Sequence, residues 1–182
     1  MKSDKLGDSY DIVKRALLCW LRPFGAWSVH PMLTDDVPVR DYEKLIGARV
    51  ISRVALDNDR DGFLMAAGSC RGNLFLDPDK GLSLGRGSRE HVSINEFCDV
   101  VLQRPKDVLT VVFDQAITHG LPERRKLVVL DKLARIREGG VHAFAYFSHA
   151  CFIVGSAKRT LVERARAHMI KESDLPPSVF LP

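Results

Sequence analysis

Two short apolar runs in this 182-residue chain each end on an aspartate, and a histidine interrupts a third. The run Asn73–Leu76 stops at Asp77-Pro78, and residues 108–113 stop at Asp114-Gln115. Proline ends a sheet ladder because it has no N–H to give. If the two runs are neighbouring parallel strands, Asp77, Asp114 and Gln115 leave the sheet on one edge. His149 reaches that edge if the late apolar run, residues 141–154, bends at Ser148. Convergent carboxylates and an amide can bind a divalent cation through oxygen, and an imidazole can serve as a general base. Asp77, Asp114 and His149 are therefore the candidate catalytic residues, with Gln115 beside them for binding and a divalent metal as the candidate cofactor. In open α/β sheets the carboxyl edge is where ligands sit. The competing reading is that each aspartate only caps its own turn.

Other groups have chemistry to offer. His30 stands near Asp35 and Asp36, although a histidine beside proline is commonly a packed structural residue. Asp8, Tyr10, Asp11 and Lys14 open a helical segment, where the helix dipole and one-turn pairing account for the acids and the lysine. Asp57-Asn58-Asp59-Arg60-Asp61-Gly62 resembles the start of a calcium loop, but its twelfth position is Gly68 where a bidentate glutamate is needed. Residues 85–89 read as a flexible basic loop in which Arg86 can hold a phosphate, without the lysine and spacing of a P-loop. Arg124, Arg125 and Lys126 lie on the outer face of a predicted helix and suit an anionic ligand or nucleic acid. There is no G-x-S-x-G, no H-E-x-x-H and no G-x-G-x-x-G after a strand, so hydrolase, zinc-protease and dinucleotide readings lack their signatures and no nucleotide-cofactor loop is recognisable.

These residues need elements to carry them. Asp8-Ser9 starts a helix with Tyr10, Val13, Leu17 and Trp20 at helical spacing, ended by Arg22-Pro23. A short helix over residues 40–46 stops at Gly47. Residues 49–56 alternate as a strand does, and the apolar residues 63–67 are taken as a strand too. Ser93-Ile94-Asn95-Glu96 is a capping box for a helix to about Gln103. Residues 108–113 are nearly all apolar and β-branched, as a central strand buried on both faces is. Pro122 begins a helix closed by Gly139-Gly140. Residues 141–154 are one strand or a hairpin, and Ser156 caps a last helix over residues 157–170. The expected fold is α/β: one Rossmann-like domain over residues 1–182 with a mainly parallel sheet and covering helices, residues 1–7 and 171–182 being peripheral tails.

Bulk properties narrow the class. With 46% hydrophobic and 27% charged residues the composition is that of a globular chain, not a disordered one. No apolar run approaches a membrane span, and no signal-peptide core follows the polar first residues, so a cytosolic protein without a membrane partner is expected. Cys19, Cys70, Cys98 and Cys151 are widely spaced with no C-x-x-C pair, and are read as reduced packing residues. A net charge of +4 permits an anionic partner without demanding one.

The motifs occur in a recognisable order: Leu6-Gly7-Asp8 with Lys14 and Leu17-Leu18, then Phe75-Leu76-Asp77-Pro78-Asp79-Lys80-Gly81, then Phe113-Asp114-Gln115, then Ser148-His149-Ala150-Cys151-Phe152. In that order the chain resembles a set of uncharacterised bacterial proteins with a strand ending in Asp-Pro-Asp-x-Gly and a late Ser-His-x-x-Phe. The Asp-Pro turn followed by helix, strand, helix and apolar hairpin also resembles the later half of class I methyltransferases, whose Asp-Pro loop lies beside the target base. The chain departs from those enzymes in lacking a Gly-rich cofactor loop. Two functional expectations follow. One is an enzyme acting on a phosphate-bearing ligand or nucleic acid through its strand-end carboxylates. The other is a non-catalytic nucleic-acid or protein binding module using its basic helix faces.

Overall fold

The computed structural model describes residues 6–33, 38–52, 60–115 and 121–182. In chain order these form α1 (Ser9–Trp20), β1 (Trp27–His30), α2 (Val39–Ile46), β2 (Arg49–Val50), α3 (Arg60–Ser69), β3 (Asn73–Leu76), β4 (Gly81–Ser83) and β5 (His91–Ser93). There follow α4 (Ile94–Gln103), β6 (Thr110–Asp114), α5 (Pro122–Glu138), β7 (His142–Phe147), β8 (Cys151–Ser156), α6 (Arg159–Ser173) and β9 (Phe180–Leu181). Seven strands make one sheet in the order β2-β1-β3-β6-β8-β7-β9, and β4 pairs with β5 apart from it. The sheet is mostly parallel: β2, β1, β3 and β6 run together, while β8 runs against both β6 and β7, and β9 against β7. Among the described residues no helix is long and apolar enough to cross a membrane.

The pleat sorts side chains to two cores. Phe75, Val111 and Phe113 point to the face covered by α1, α2 and α6, where Leu17, Ile46 and Ala165 meet them. Leu74, Leu76 and Val112 point to the other face, covered by α3, α4 and α5 through Phe63, Phe97 and Leu133. Every residue of β6 is buried, as its unbroken apolar run requires of a strand covered on both sides. The helix starts follow local chemistry. Asp8 caps α1 by accepting from the N–H groups of Tyr10 and Asp11, and Ser93 with Glu96 forms the expected reciprocal box on α4. Pro122 lies in the first turn of α5.

Four expectations change. Residues 63–67 lie inside α3, not in a strand. Phe63 and Ala67, one helical turn apart, are buried while Met65 between them is 71% exposed, so the run has a helical face that its short length concealed. The strand expected over residues 49–56 is Arg49–Val50 alone among the described residues. Ser156 ends β8 and donates to the Lys106 carbonyl rather than capping α6. The C-terminal residues are not peripheral: Phe180 and Leu181 pair with β7 as an edge strand and are buried, because Phe180 has Tyr146 to pack on at 5.5 Å. Residues 141–154 are the hairpin β7–β8, turning over residues 148–150.

Candidate active site

The strand order places a switch of direction at β1. From β1 the chain passes through α2 to β2 on one side, then through α3 to β3 on the other. The helices of these two crossovers lie on opposite faces, the arrangement at which open α/β sheets bind ligands outside the carboxyl ends of the strands, here β1 and β3. His30 ends β1 there, and Asp77 follows β3, its N–H donating to the His30 carbonyl at 2.9 Å.

Asp77 is buried, and its partners come from α1 and α2. Lys14 Nζ donates to Asp77 Oδ2 at 2.9 Å and to Asp11 Oδ1 at 3.0 Å, and the Tyr42 hydroxyl donates to the same Asp77 Oδ2 at 2.6 Å. Two donors on one oxygen is the arrangement of an ionised carboxylate. Oδ1 takes none of these bonds. Asp11 Oδ2 accepts the Gly7 N–H at 2.9 Å, which fixes the acid across the start of α1. Burial opposes the charge on Lys14, but Asp77 and Asp11 outweigh it and hold the ammonium above its ordinary pKa. Burial, then the charge of Asp77, holds the Tyr42 hydroxyl well above its own. Lys14 therefore stays a cation and Tyr42 a neutral donor throughout the neutral range.

His30 is buried beside this group. Its Nδ1 accepts the Met32 N–H at 3.3 Å and its ring meets the edge of Phe63. Burial, assisted by the Arg60 charge, lowers its pKa to about 4, so it is a neutral imidazole that shapes the β1 end. Its expected companions Asp35 and Asp36 lie outside the described residues, as do Asp57, Asn58 and Asp59 of the calcium-like stretch. Gly62 of that stretch lies within α3.

Asp114 leaves the same edge as Asp77 but on the other face. It sits one residue beyond the level of Asp77, since Leu76 is level with Val112. Lys132 of α5 donates to Asp114 Oδ2 at 2.6 Å and to the Leu82 carbonyl at 2.7 Å, and the Leu82 N–H donates to Asp114 Oδ1 at 3.0 Å. Asp114 thus fastens β4 to the sheet edge and holds the far end of the Asp77–Gly81 loop. Gly81 is needed for this approach. Its φ of +99° is one that other residues rarely adopt, and a Cβ there would collide with Asp114 and the Gln115 backbone. Gln115 is half-buried behind it.

His149 is exposed in the β7–β8 turn, its ring 5.8 Å from that of Tyr10. Tyr10 in turn meets Phe113, over whose ring the Lys14 ammonium lies at 4.7 Å. His149 is thus connected to the Asp77 face through aromatic contacts. Arg125 positions its turn: the guanidinium donates to the Ser148 carbonyl at 3.0 Å and lies over the Phe147 ring. Arg125 is half-buried in this role, whereas Arg124 and Lys126 are exposed. Arg86 is exposed in a loop tied to α3 and α4, for Arg60 donates to the Ser88 carbonyl at 2.7 Å and Gly87 lies against Glu96.

The structure therefore joins Asp77 to Lys14, Asp11 and Tyr42, which the sequence reading gave to helix-dipole effects or to a helix face. One signal was present. Lys14 is one turn from both Tyr10 and Leu17, so it faces inward, where a lysine needs a carboxylate partner. Lys14 Nζ also occupies the place between Asp11 and Asp77 that a metal ion bound by the pair would take. Among the described residues no group of three or more His, Cys, Asp or Glu is placed to hold a metal. All four cysteines are free, and burial pushes the Cys98 thiol up to about 11 and the Cys151 thiol well above its usual value. Comparison with protein-family models, with curated proteins and with solved structures finds no match.

Proposed function

We propose that the chain is an enzyme of Rossmann-like architecture acting on a phosphate-bearing ligand, nucleic acid included, with Asp77 as its reaction centre. One observation carries the reading. An ionised carboxylate lies buried at the switch point of the sheet, held through one oxygen by Lys14 and Tyr42, with Oδ1 outside those bonds. Buried ion pairs contribute little net stability compared with apolar side chains of the same volume, so a buried Asp77–Lys14–Asp11 charge group in this place is better explained by chemistry than by folding.

In this reading Asp77 Oδ1 accepts a hydrogen bond from an N–H or O–H of the ligand and orients it. Lys14 and Tyr42 keep the carboxylate charged and immobile, a preorganised acceptor. His149, exposed and with its ring tilted against that of Tyr10, is the imidazole on this side of the sheet for a proton exchange between ligand and solvent. Asp114 and Lys132 hold the loop and touch no ligand. The Asp-Pro loop, α4, β6, α5 and the terminal hairpin follow the order that the methyltransferase resemblance implies, which supports the Rossmann-like assignment. Methyl transfer itself is not proposed, since β1 is followed by Pro31-Met32-Leu33 and not by glycines.

The test is a melting screen of the purified protein against nucleoside mono-, di- and triphosphates, followed by phosphorus NMR of any that bind. At a hundredfold excess over Kd a ligand should raise the melting temperature by roughly 5–11 °C. Asp77→Asn should fold, lose the rise and show no turnover. Retention of both by Asp77→Asn removes Asp77 from the site, and binding without turnover in the parent makes the chain a binding module.

A further inference from the structure

The opposite edge of the sheet carries a different feature, whose residues do not include Asp77 or its partners. A cleft of about 720 Å³ lies at the amino ends of β1 and β2, between α1 and α2. Five cations line it: Arg15, Arg22, Arg40, Lys44 and Arg49. A second cleft of about 590 Å³ shares Ala26, Trp27 and Arg49 with the first and adds Arg71. The two form one furrow that wraps the edge strand β2 with Arg49 at the junction. All six cations are exposed, and among the described residues none is drawn into an ion pair. The one acid in the lining, Glu43, accepts the Val50 N–H at 2.9 Å. Six like charges gathered in a concave surface repel one another when it is empty, and the field they focus there selects an anion.

The geometry points to a furrow that binds single-stranded nucleic acid by its phosphates. Five of the six cations are arginines, whose planar guanidinium matches phosphate oxygens two at a time. An extended furrow running through two clefts fits a chain of phosphates better than one small anion. Its cations pass around the edge strand β2 from one cleft into the other, a path that a flexible single strand follows more readily than a stiff duplex. The aromatic residue in the lining, Trp27, is 8% exposed and offers no stacking platform, so the contacts position a backbone and do not read bases. The α5 face, with Arg124 and Lys126, is not part of this furrow.

The experiment is fluorescence anisotropy with a labelled oligothymidylate long enough to span both clefts. Affinity should fall steeply with salt. Six phosphate contacts on a single strand give a log–log slope of about −4, or roughly 300-fold between 50 and 200 mM salt. The double variant Arg40→Glu/Arg49→Glu should weaken binding more than tenfold at 50 mM salt. The milder pair Arg22→Gln/Arg71→Gln, at exposed positions along the furrow, should weaken it severalfold and flatten the slope, with circular dichroism confirming the fold of both. Arg124→Glu/Lys126→Glu should bind within twofold of the parent. No binding by the parent, or binding unchanged in the furrow variants, overturns the proposal. So does loss of binding in the α5 variant alone. Competition by poly-glutamate or pyrophosphate as effective as by unlabelled oligonucleotide overturns the assignment to nucleic acid.

Discussion

Replacing Lys14 by methionine isolates the buried charge group. Methionine has a similar length and fills the space without a charge. It leaves Asp77 and Asp11, both in contact with the lost nitrogen at 2.9 and 3.0 Å, facing each other with no cation between them. At an effective dielectric of about 20 each contact is worth roughly 6 kcal/mol of attraction, most of it offset by the cost of taking the ions out of water. Breaking such a pair from one side costs about 3–5 kcal/mol, because the remaining charges stay buried. For a domain of this size that is a fall in melting temperature of roughly 6–20 °C at pH 7. The pH dependence gives a second readout. In the parent the folded pKa of Lys14 lies above its unfolded value of 10.5. Its stabilisation is therefore complete below that value and lost only as pH rises through the folded pKa. In the variant, one of two facing carboxylates gains a raised pKa, so the folded state takes up a proton first. The deficit should then shrink between pH 7 and pH 5. Melting within about 2 °C of the parent at pH 7, with the same gap at pH 5, would refute the account of Lys14 as the cation of a buried group.

Two further outcomes are expected. His30 has a folded pKa of about 4 against an ordinary 6.5, so the folded state binds fewer protons and stability declines as pH falls from about 6.5 towards 4. His30→Asn, which keeps an acceptor for the Met32 N–H, should remove on the order of 3 kcal/mol of that decline in urea titrations; an unchanged acid limb would exclude His30 as its source. Phe180→Ala should cost about 3–5 kcal/mol, since the ring is buried against Tyr146; a loss under 1 kcal/mol would return the C-terminal residues to the role of a surface tail.

Where local chemistry decided the structure, the sequence was legible. The capping box at Ser93, the proline at the head of α5 and the buried β6 each rest on neighbours in the chain, and each is present, whereas residues 141–154 fit one strand or a hairpin until β8 is seen to pair with both β6 and β7. The misread elements are those that distant contacts decide. Five apolar residues are too few to show that Phe63 and Ala67 share a helical face with Met65 outside it, so residues 63–67 read as a strand. Nothing local marks Phe180-Leu181 as a strand, because β7 supplies its ladder. The site divides in the same way. Asp77 and its edge were readable from the strand-end proline. The face on which each aspartate emerges depends on register, which separates Asp77 from Asp114. Lys14 pairs across 63 residues of sequence, so its first turn of helix looked complete without Asp77.

The insertion of β8 between β6 and β7 has a consequence for how the protein is made. The ribosome delivers β6 with β3 already available on one side, but the strand that covers its other side begins only at Cys151, after α5 and β7. At the usual rate of elongation that interval lasts roughly 2–8 s. During it Thr110-Val111-Val112-Phe113 presents an uncharged, β-prone edge with unpaired N–H and C=O groups, the kind that recruits the wrong strand from another nascent chain. The hairpin form of the late strands suits this danger. β7 and β8 pair with each other through a short turn, a local contact that lets the missing neighbour form as a hairpin before it closes the edge of β6. Aggregation risk in this protein is therefore concentrated in a brief window of translation, before the hairpin has left the exit tunnel.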